Sequence, residues 1–301
     1  MMKFSIVTPV YNGERYLAET IESVLSQEGD FEIEYIIRDG LSTDGTLEII
    51  RKYEGMLKRN EYPIKCAGID FKWVSEKDGG MYDAINKGFA AAVGDIFAWI
   101  NSDDKYLPNA FNIVSKTLAK YPEIKWLKGI TQIMDEFSNF VKTNPCYIYN
   151  QGWIKAGIYG RYAYFIHQDS VFWRKELWRK SGGLDARLKL AGDWLLWKKF
   201  AELSPLWSVN APLSQFRLRR GQLSENMNEY RKEQSASVPP RKNLMELKIK
   251  SFFWLKAKLP NIFEPVFKKA YRLLFPKRNR YYVDMLPDGK PEIKEAYSYA
   301  A

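Results

Sequence analysis

Two adjacent aspartates, Asp103 and Asp104, directly follow the stretch FAWINS, whose first four residues are apolar. Two neighbouring carboxylates repel each other unless a positive group offsets their charge. Mg²⁺ and Mn²⁺ prefer carboxylate oxygens and often carry a phosphate group as a further ligand. The pair therefore indicates a divalent cation site, although the same two residues could simply cap the helix that follows them.

Other polar residues also come directly after apolar stretches. Thr8 is the last residue of the stretch FSIVT, and Pro9 follows it. Asp39 directly follows FEIEYIIR, and residues 76–78 (EKD) directly follow FKWVS. If these stretches are parallel strands, their carboxyl ends meet at one edge of a sheet, where ligands of such sheets bind. Each residue taken alone also has a structural explanation, because Asp39-Gly40 is typical of a turn. Together they predict one polar rim.

The elements that must position this rim alternate in type. Strands are predicted at 4–8, 31–38, 71–75 and 96–101 from their apolar and β-branched residues. Helices are predicted after Asn12, after Asp44, and from about Tyr82 to Ala92, where apolar residues recur at helical spacing. Strands that alternate with helices predict an α/β fold with a mostly parallel central sheet and helices on both faces.

Later in the chain, three further groups of residues could do chemistry. Asp193 precedes the predicted helix WLLWKKFAEL, where it could act as a general base or simply cap the helix. Trp194 and Trp197 would lower the polarity around it and raise its pKa. His167 is the sole histidine and could equally be structural. A final group of arginines could contact a diphosphate or be surface charge: Arg217, Arg219 and Arg220.

The positive charge of the chain is concentrated near its carboxyl end. Residues 241–280 contain twelve Lys or Arg and two Glu, a balance of +10 that equals the net charge of all 301 residues. The same segment is rich in Phe, Trp, Tyr and Leu, which is typical of helices that lie in an anionic membrane interface. A helical hairpin packed on the main domain remains open, and so does binding to nucleic acid, which we do not expect.

Cysteine content and hydropathy favour a cytoplasmic protein. Cys66 and Cys146 are too few for a disulfide framework and lack metal-ligand spacing. We see no secretory signal, and no apolar run approaches the ~18 residues of a spanning helix.

Three ordered segments resemble the large inverting glycosyltransferase family with the GT-A fold, commonly called family 2. They are FSIVTPVYNGERYLAETIESVLSQ, IIRDGLSTDGT and SEKDGGMYDAINKGFAAAVGDIFAWINSDD. The similarity continues more loosely from HQDSVFW to about residue 230. Ordered motifs of this kind are far more specific than an isolated acidic pair.

The resemblance implies roles for individual residues. Asp103 would touch the ribose or a Mg²⁺ or Mn²⁺ ion, Asp104 would hold that ion against the diphosphate, and Asp193 would be the general base. His167 matches a position near the acceptor. The remaining matches border the donor nucleotide, with Asp39 on the nucleobase, usually uracil: Thr8, Pro9, Tyr11, Asp39, Asn86 and Lys87.

The resemblance also implies an organisation and a reaction. Residues 1–235 would form the GT-A domain, with a nucleotide-binding half (1–110) and an acceptor half (111–235), and residues 236–301 would form a basic helical extension. Arg38 and Asn101 stand where some members have acids. The QxxRW motif of processive synthases is absent, which favours transfer of a single sugar.

From this resemblance we expect transfer from a nucleotide sugar, in particular a UDP-sugar, to a glycan or polyprenyl-linked acceptor in surface polysaccharide synthesis. The enzyme would work at the inner face of the cell membrane. Three other classes remain open: a sugar-phosphate nucleotidyltransferase, a glycoside hydrolase, and a non-catalytic membrane or RNA adaptor. The phosphate loop of the first is poorly matched by TPVYNGERY.

Overall fold

A computed structural model of the chain describes residues 1–240, 243–275, 281–296 and 299–300. Its strands are β1 (Met2–Val10), β2 (Gly29–Asp39), β3 (Cys66–Ser75), β4 (Ile96–Trp99), β5 (Lys105–Tyr106), β6 (Trp126–Met134), β7 (Phe140–Thr143), β8 (Val171–Arg174), β9 (Trp207–Arg217), β10 (Tyr281–Met285) and β11 (Pro291–Glu295). Its helices are α1 (Leu17–Leu25), α2 (Thr46–Lys58), α3 (Met81–Ala90), α4 (Ala110–Lys120), α5 (Gln151–Lys155), α6 (Lys175–Ser181), α7 (Gly192–Leu203), α8 (Met227–Ser237), α9 (Leu244–Lys258) and α10 (Glu264–Leu274).

The strands form one mixed sheet in the order β11-β10-β9-β6-β8-β4-β1-β2-β3, and β5 and β7 pair with β9 and β6. The long pairings of β1 with β2, β2 with β3, and β6 with β9 are parallel. The short β8 is antiparallel to both β4 and β6, so β6 and β9 run in the same direction as β4. The predicted α/β fold with a mostly parallel sheet is confirmed.

Helices cover both faces of the sheet, because the strands are apolar on both sides. In β4, Ile96 and Ala98 pack into the core on one face, and Phe97 and Trp99 pack into the core on the other. A strand buried on both faces reads as a continuous apolar run, which explains the sequence of β4. Because β1, β2 and β4 are parallel, their carboxyl ends lie at one edge of the sheet.

The basic segment near the carboxyl end packs against this same core. Phe252, Phe253, Phe267 and Tyr271 from α9 and α10 are buried in the cluster that also contains Trp153. The chain then adds β10, which pairs with β9 in parallel, and β11. The structure therefore differs from the expected helical extension, since two strands follow the helices. Arg241, Lys242 and residues 276–280, which belong to the predicted basic segment, lie outside the described residues.

Candidate active site

A cleft opens at the edge of the sheet where β1, β2, β4 and β9 end. Its first part, cavity A, has a volume of about 580 Å³ and includes Pro9, Tyr11, Asp103 and Arg219 in its lining. Gly40, which follows β2, also lines cavity A. The convergence of residues from separate loops at this edge follows from the parallel direction of the strands.

Asp103 and Asp78 are the two carboxylates in the lining of cavity A, and Asp103 is the one that belongs to the acidic pair. It lies in the turn between β4 and β5, and one of its oxygens accepts a hydrogen bond from Nε of Arg219 at 2.7 Å. Arg219 comes from the segment directly after β9, and it also lines the cavity. A charge-assisted contact of this kind offsets the negative charge of Asp103 beside Asp104.

Asp104 lies on the opposite side of this turn and is almost completely buried, at 1% exposure. Its Oδ1 accepts a hydrogen bond from the backbone N–H of Arg217 at 2.9 Å, so its carboxylate anchors the end of β9. Burial, and then the charges of Asp103 and Asp169, raise its pKa well above the usual value. Asp104 was expected to hold the cation, but its side chain is buried, and Asp103 lines cavity A instead.

Arg217 is also a structural residue. Its buried guanidinium pairs with Glu19 at 3.1 Å and donates to the backbone oxygen of Asp103 at 2.8 Å. It also lies over the ring of Tyr16, 4.2 Å from the ring centre. Arg217 thus ties α1 to the turn that carries Asp103. Arg220, by contrast, is exposed and lies outside the lining of both parts of the cleft.

The second part of the cleft, cavity B, has a volume of about 320 Å³ and contains Asp193 and His167. Asp193 lies in the first turn of α7 and accepts a hydrogen bond from the Tyr230 hydroxyl at 3.4 Å. Burial raises the pKa of Asp193 to about 7. A raised pKa agrees with the prediction made from Trp194 and Trp197. A carboxylate with a pKa near neutrality is well suited to accept a proton.

The backbone at the start of α7 requires a glycine. A Cβ atom on Gly192 would lie 2.5 Å from the ring of Tyr82, whose hydroxyl donates to the carbonyl of Leu190 at 2.6 Å. Tyr82 therefore packs directly against the backbone that precedes Asp193. This contact fixes the position of the Asp193 carboxylate in the wall of cavity B.

Several polar atoms in the wall of cavity B have no hydrogen-bond partner among the described residues. They are Nε1 of Trp99, Oδ1 of Asn101, both amide atoms of Gln168 and Oδ1 of Asp169. Buried polar atoms are normally hydrogen-bonded, so these atoms can form hydrogen bonds with polar groups of a ligand in cavity B. The sequence did not single out Asp169, although it lies two residues after His167. Burial lowers the pKa of His167 to about 4, which leaves the ring neutral at physiological pH.

Cavities A and B are two parts of one cleft. Five residues line both of them: Met81, Asn101, Phe216, Leu223 and Ser224. Asp103 and Asp193 therefore face a single continuous space from its two ends. One elongated ligand, or two ligands in contact, can reach both carboxylates.

Two residues expected to border a nucleotide are instead buried at the edge of the cleft. Thr8 is completely buried, and its Oγ1 lies 3.0 Å from the hydroxyl of Tyr35. Asp39 is 1% exposed and accepts hydrogen bonds from the hydroxyls of Ser42 and Ser75. The loop after β2 still reaches cavity A, but through Gly40 and not through the Asp39 side chain.

Asn86 and Lys87 on α3 also differ from their expected placement. The amide of Asn86 donates to the carbonyl of Leu184 at 3.0 Å and accepts from its N–H at 3.1 Å. This reciprocal pair fastens the loop before α7 to α3. The ammonium of Lys87 pairs with Asp83 at 3.0 Å and with Glu76 at 3.4 Å, and lies outside the lining of the cleft.

Comparison with known families identifies the chain. Residues 5–175 match the family described as Glycosyl transferase family 2. This match covers more than half of the 301 residues. The chain belongs to glycosyl transferase family 2.

Glycosyltransferases of Rickettsia and Staphylococcus are similar to the chain over different lengths. An uncharacterized glycosyltransferase of Rickettsia typhi is 26% identical over 222 residues, which are 72% of this chain and 64% of that protein. The chain thus spans slightly less than two thirds of the length of this relative. The poly(ribitol-phosphate) β-N-acetylglucosaminyltransferase TarS of Staphylococcus aureus is 35% identical over 107 residues, which are 35% of this chain and 17% of TarS.

Solved structures share the fold. Residues 1–349 of S. aureus TarS in complex with UDP-GlcNAc superpose with a TM-score of 0.59 at 18% identity, over 91% of this chain and 80% of that one. The mannosyltransferase PcManGT of Pyrobaculum calidifontis, in complex with GDP-Man and Mn²⁺, superposes with a TM-score of 0.52 at 17% identity, over 90% and 69% of the two chains. The GT-A fold expected from the motifs is confirmed.

Proposed function

We propose that the chain is an inverting glycosyltransferase that moves one sugar from a nucleotide sugar, in particular a UDP-sugar, to an acceptor hydroxyl. The observation that carries this proposal is the continuous cleft with Asp103 at one end and Asp193 at the other. A nucleotide sugar suits this cleft, because its diphosphate could pair with Arg219 in cavity A and its sugar hydroxyls could bind the polar atoms of cavity B. Residues 1–110 would form the nucleotide-binding half, and residues 111–235 the acceptor half.

Cavity A is the proposed site of the nucleoside diphosphate. Tyr11, which is exposed beside Pro9, would pack on the nucleobase or ribose. Arg219 would donate to the diphosphate, since guanidinium groups match phosphate oxygens. It would have to leave Asp103 to do so, and Asp103 would then be free for the ribose or a cation. The backbone at Gly40 would read the edge of the base in place of the Asp39 carboxylate.

The donor atoms at cavity A fit a divalent cation that is shared with the diphosphate. Among the residues that the structure describes, no group of three or more His, Cys, Asp or Glu could hold a metal ion alone. Mg²⁺ is commonly held by only one or two carboxylates together with substrate phosphates. We propose that Asp103 supplies that carboxylate and that Asp104 positions the turn. When bound, Mg²⁺ or Mn²⁺ would supply positive charge that stabilises the departing diphosphate.

Cavity B is the proposed site of the transferred sugar and the attacking hydroxyl. Asp193 would take the proton of that hydroxyl as the new bond forms, on the face of the sugar opposite the diphosphate. His167 and Asp169 would accept or donate hydrogen bonds to hydroxyls from the acceptor side. Trp99 offers its unpartnered indole N–H in the same wall. One base and one leaving group on opposite faces give inversion.

The acceptor is proposed to be a glycan or a polyprenyl-linked glycan of a surface polysaccharide, used at the inner face of the cell membrane. TarS and the mannosyltransferase PcManGT support the sugar-transfer class, since their structures are complexes with UDP-GlcNAc and GDP-Man. In the described part of the chain, no helix is both long and apolar enough to cross a bilayer.

The proposal is tested by calorimetric titration of UDP, GDP and their sugars with and without Mn²⁺, followed by a transfer assay. We expect Asp193→Asn to bind nucleotide normally and to lose transfer, and Asp103→Ala to lose both. The anomeric configuration of the product, measured by NMR, should be inverted. Formation of a nucleotide sugar from a nucleoside triphosphate and a sugar phosphate would instead show a nucleotidyltransferase. Retained turnover in Asp193→Asn would refute the assignment of the base.

A further inference from the structure

The two helices near the carboxyl end each carry an apolar stripe on their outer face. On α9 this stripe contains Leu244, Leu247, Trp254 and Leu255, which recur at helical spacing. On α10 and the short turn before it, Ile262, Val266 and Leu273 follow the same spacing. Ile262 is 81% exposed, Leu273 74% and Trp254 62%. We call these seven residues the outer stripe.

The inner faces of the same helices hold them firmly on the protein. Phe252 on α9 contacts the rings of Phe267 and Tyr271 on α10, at centroid distances of 5.6 and 6.0 Å. Phe253 contacts the ring of Trp153 at 6.1 Å. Because the helices already bury one aromatic face in the core, the outer stripe is a second apolar surface. The packing of the described residues leaves this second apolar surface exposed, so it does not serve to hold the helices on the protein.

Exposed basic residues, including Lys258 and Lys269, lie on the same two helices as the outer stripe, and neither acid of these helices is fully exposed. Seven Lys or Arg lie between residues 243 and 275, against Glu246 and Glu264. Glu246 is 6% exposed. Glu264 accepts a hydrogen bond from the hydroxyl of Tyr299 at 2.6 Å and pairs with Lys256 at 3.2 Å. Both acids therefore face the protein.

The helices are joined to the acceptor side of the cleft. The ring of Phe253 lies 5.7 Å from that of Tyr164. Tyr164 directly precedes Phe165 and Ile166, which line cavity B. The opposite end of the cleft, at cavity A, is lined by residues of other loops. A partner bound to the outer stripe would thus lie on the side where cavity B receives its ligand.

We infer that the outer stripe is a docking surface for an anionic lipid bilayer. Apolar side chains of this kind insert at the boundary of headgroups and acyl chains, while lysines beside them contact anionic headgroups. A soluble acidic protein or RNA would satisfy the lysines but would leave seven apolar side chains in water. The inference concerns where the protein binds and does not depend on which reaction the cleft performs.

Sedimentation of the full chain with vesicles tests the inference. The vesicles are equimolar phosphatidylcholine and phosphatidylglycerol, compared with phosphatidylcholine alone. The variant Trp254→Glu/Ile262→Glu changes two exposed residues of the outer stripe. Its matched control is Ile64→Glu/Val93→Glu, which introduces the same charge at two exposed apolar residues outside α9 and α10. Circular dichroism and UDP titration establish that each variant remains folded and functional in binding.

We expect the wild-type chain and the control to bind the anionic vesicles equally and to release them at high salt. The outer-stripe variant should bind at least about ten-fold more weakly, because two inserted apolar residues are lost and two negative charges are gained. Equal binding by both variants would overturn the inference. So would failure of the wild-type chain to bind anionic vesicles while it binds polyuridylate, which would identify the surface as one for nucleic acid.

Discussion

Replacing Asp193 by Asn should make the protein more stable at alkaline pH while it abolishes transfer. The carboxylate has a pKa of about 7 in the folded chain, against a value of 3.8 without burial. A group whose folded pKa is raised favours the folded state only while it is protonated. The contribution of Asp193 to the free energy of unfolding is therefore fully present below about pH 4. It decreases as the pH rises and is lost above about pH 7. The Asn side chain is neutral at every pH, as the protonated carboxyl group of Asp193 is at low pH.

The size of the effect follows from the pKa difference. At 1.36 kcal/mol per unit, a shift of about three units corresponds to an upper limit of about 4 kcal/mol at pH 8. Asp193 is partly reached by solvent at the wall of cavity B, so we expect roughly 2–4 kcal/mol. For a chain of 301 residues, this free energy raises the melting temperature by about 3–6 °C. At about pH 4 the two proteins should melt together.

The assay is thermal unfolding of both proteins across this pH range, with transfer measured in parallel. Asp30→Asn, at an exposed carboxylate, is the control. It should leave the difference in melting temperature between low and high pH the same as in the wild-type protein. In the transfer assay, loss of the base should lower kcat by about 10²–10⁴-fold. The wild-type rate should itself fall about ten-fold per pH unit below pH 7. A variant that gains no stability at pH 8 would refute the raised pKa.

The remaining predictions concern the supports of the cleft. Asn86→Ala should lower the free energy of unfolding, measured with urea, by about 1–3 kcal/mol, because both backbone groups of Leu184 lose their partner. A changed affinity for UDP without a loss of stability would contradict this prediction. Gly192→Ala should cost about 1–3 kcal/mol by displacing Tyr82, and should lower kcat more than it changes KM. Chelation of divalent cations should abolish transfer, Mn²⁺ should restore it, and Asp103→Asn should require more Mn²⁺ for half-maximal activity; transfer that persists in chelator would refute the metal proposal.

The sequence predicts the elements of the first hundred residues closely, because their apolar patterns are local. The strand predicted at 31–38 is found at Gly29–Asp39, and the helix predicted from Tyr82 to Ala92 is found at Met81–Ala90. The strand β10, near the carboxyl end, was not predicted. It is short, and it forms by pairing with β9, which lies some seventy residues earlier in the chain.

The candidate site shows where local patterns stop being informative. The sequence identifies the pair Asp103 and Asp104, but which of the two faces the cleft depends on the backbone N–H of Arg217. Asn86 was assigned to the donor from its motif, yet its amide is used by the loop at Leu184. These contacts join residues about a hundred positions apart, so spacing within a motif cannot reveal them.

The pairing of β10 with β9 also limits how the chain can be divided. The strand that ends in Arg217 and leads to Arg219 at the cleft is flanked along its earlier part by β10, at Ser208 to Asn210. Cutting the chain after residue 240 would remove this neighbour and uncover the buried ring of Trp153. The basic segment is therefore not a detachable module. If a shortened protein failed to bind membranes, unfolding of the remaining domain would explain this result as well as loss of the outer stripe.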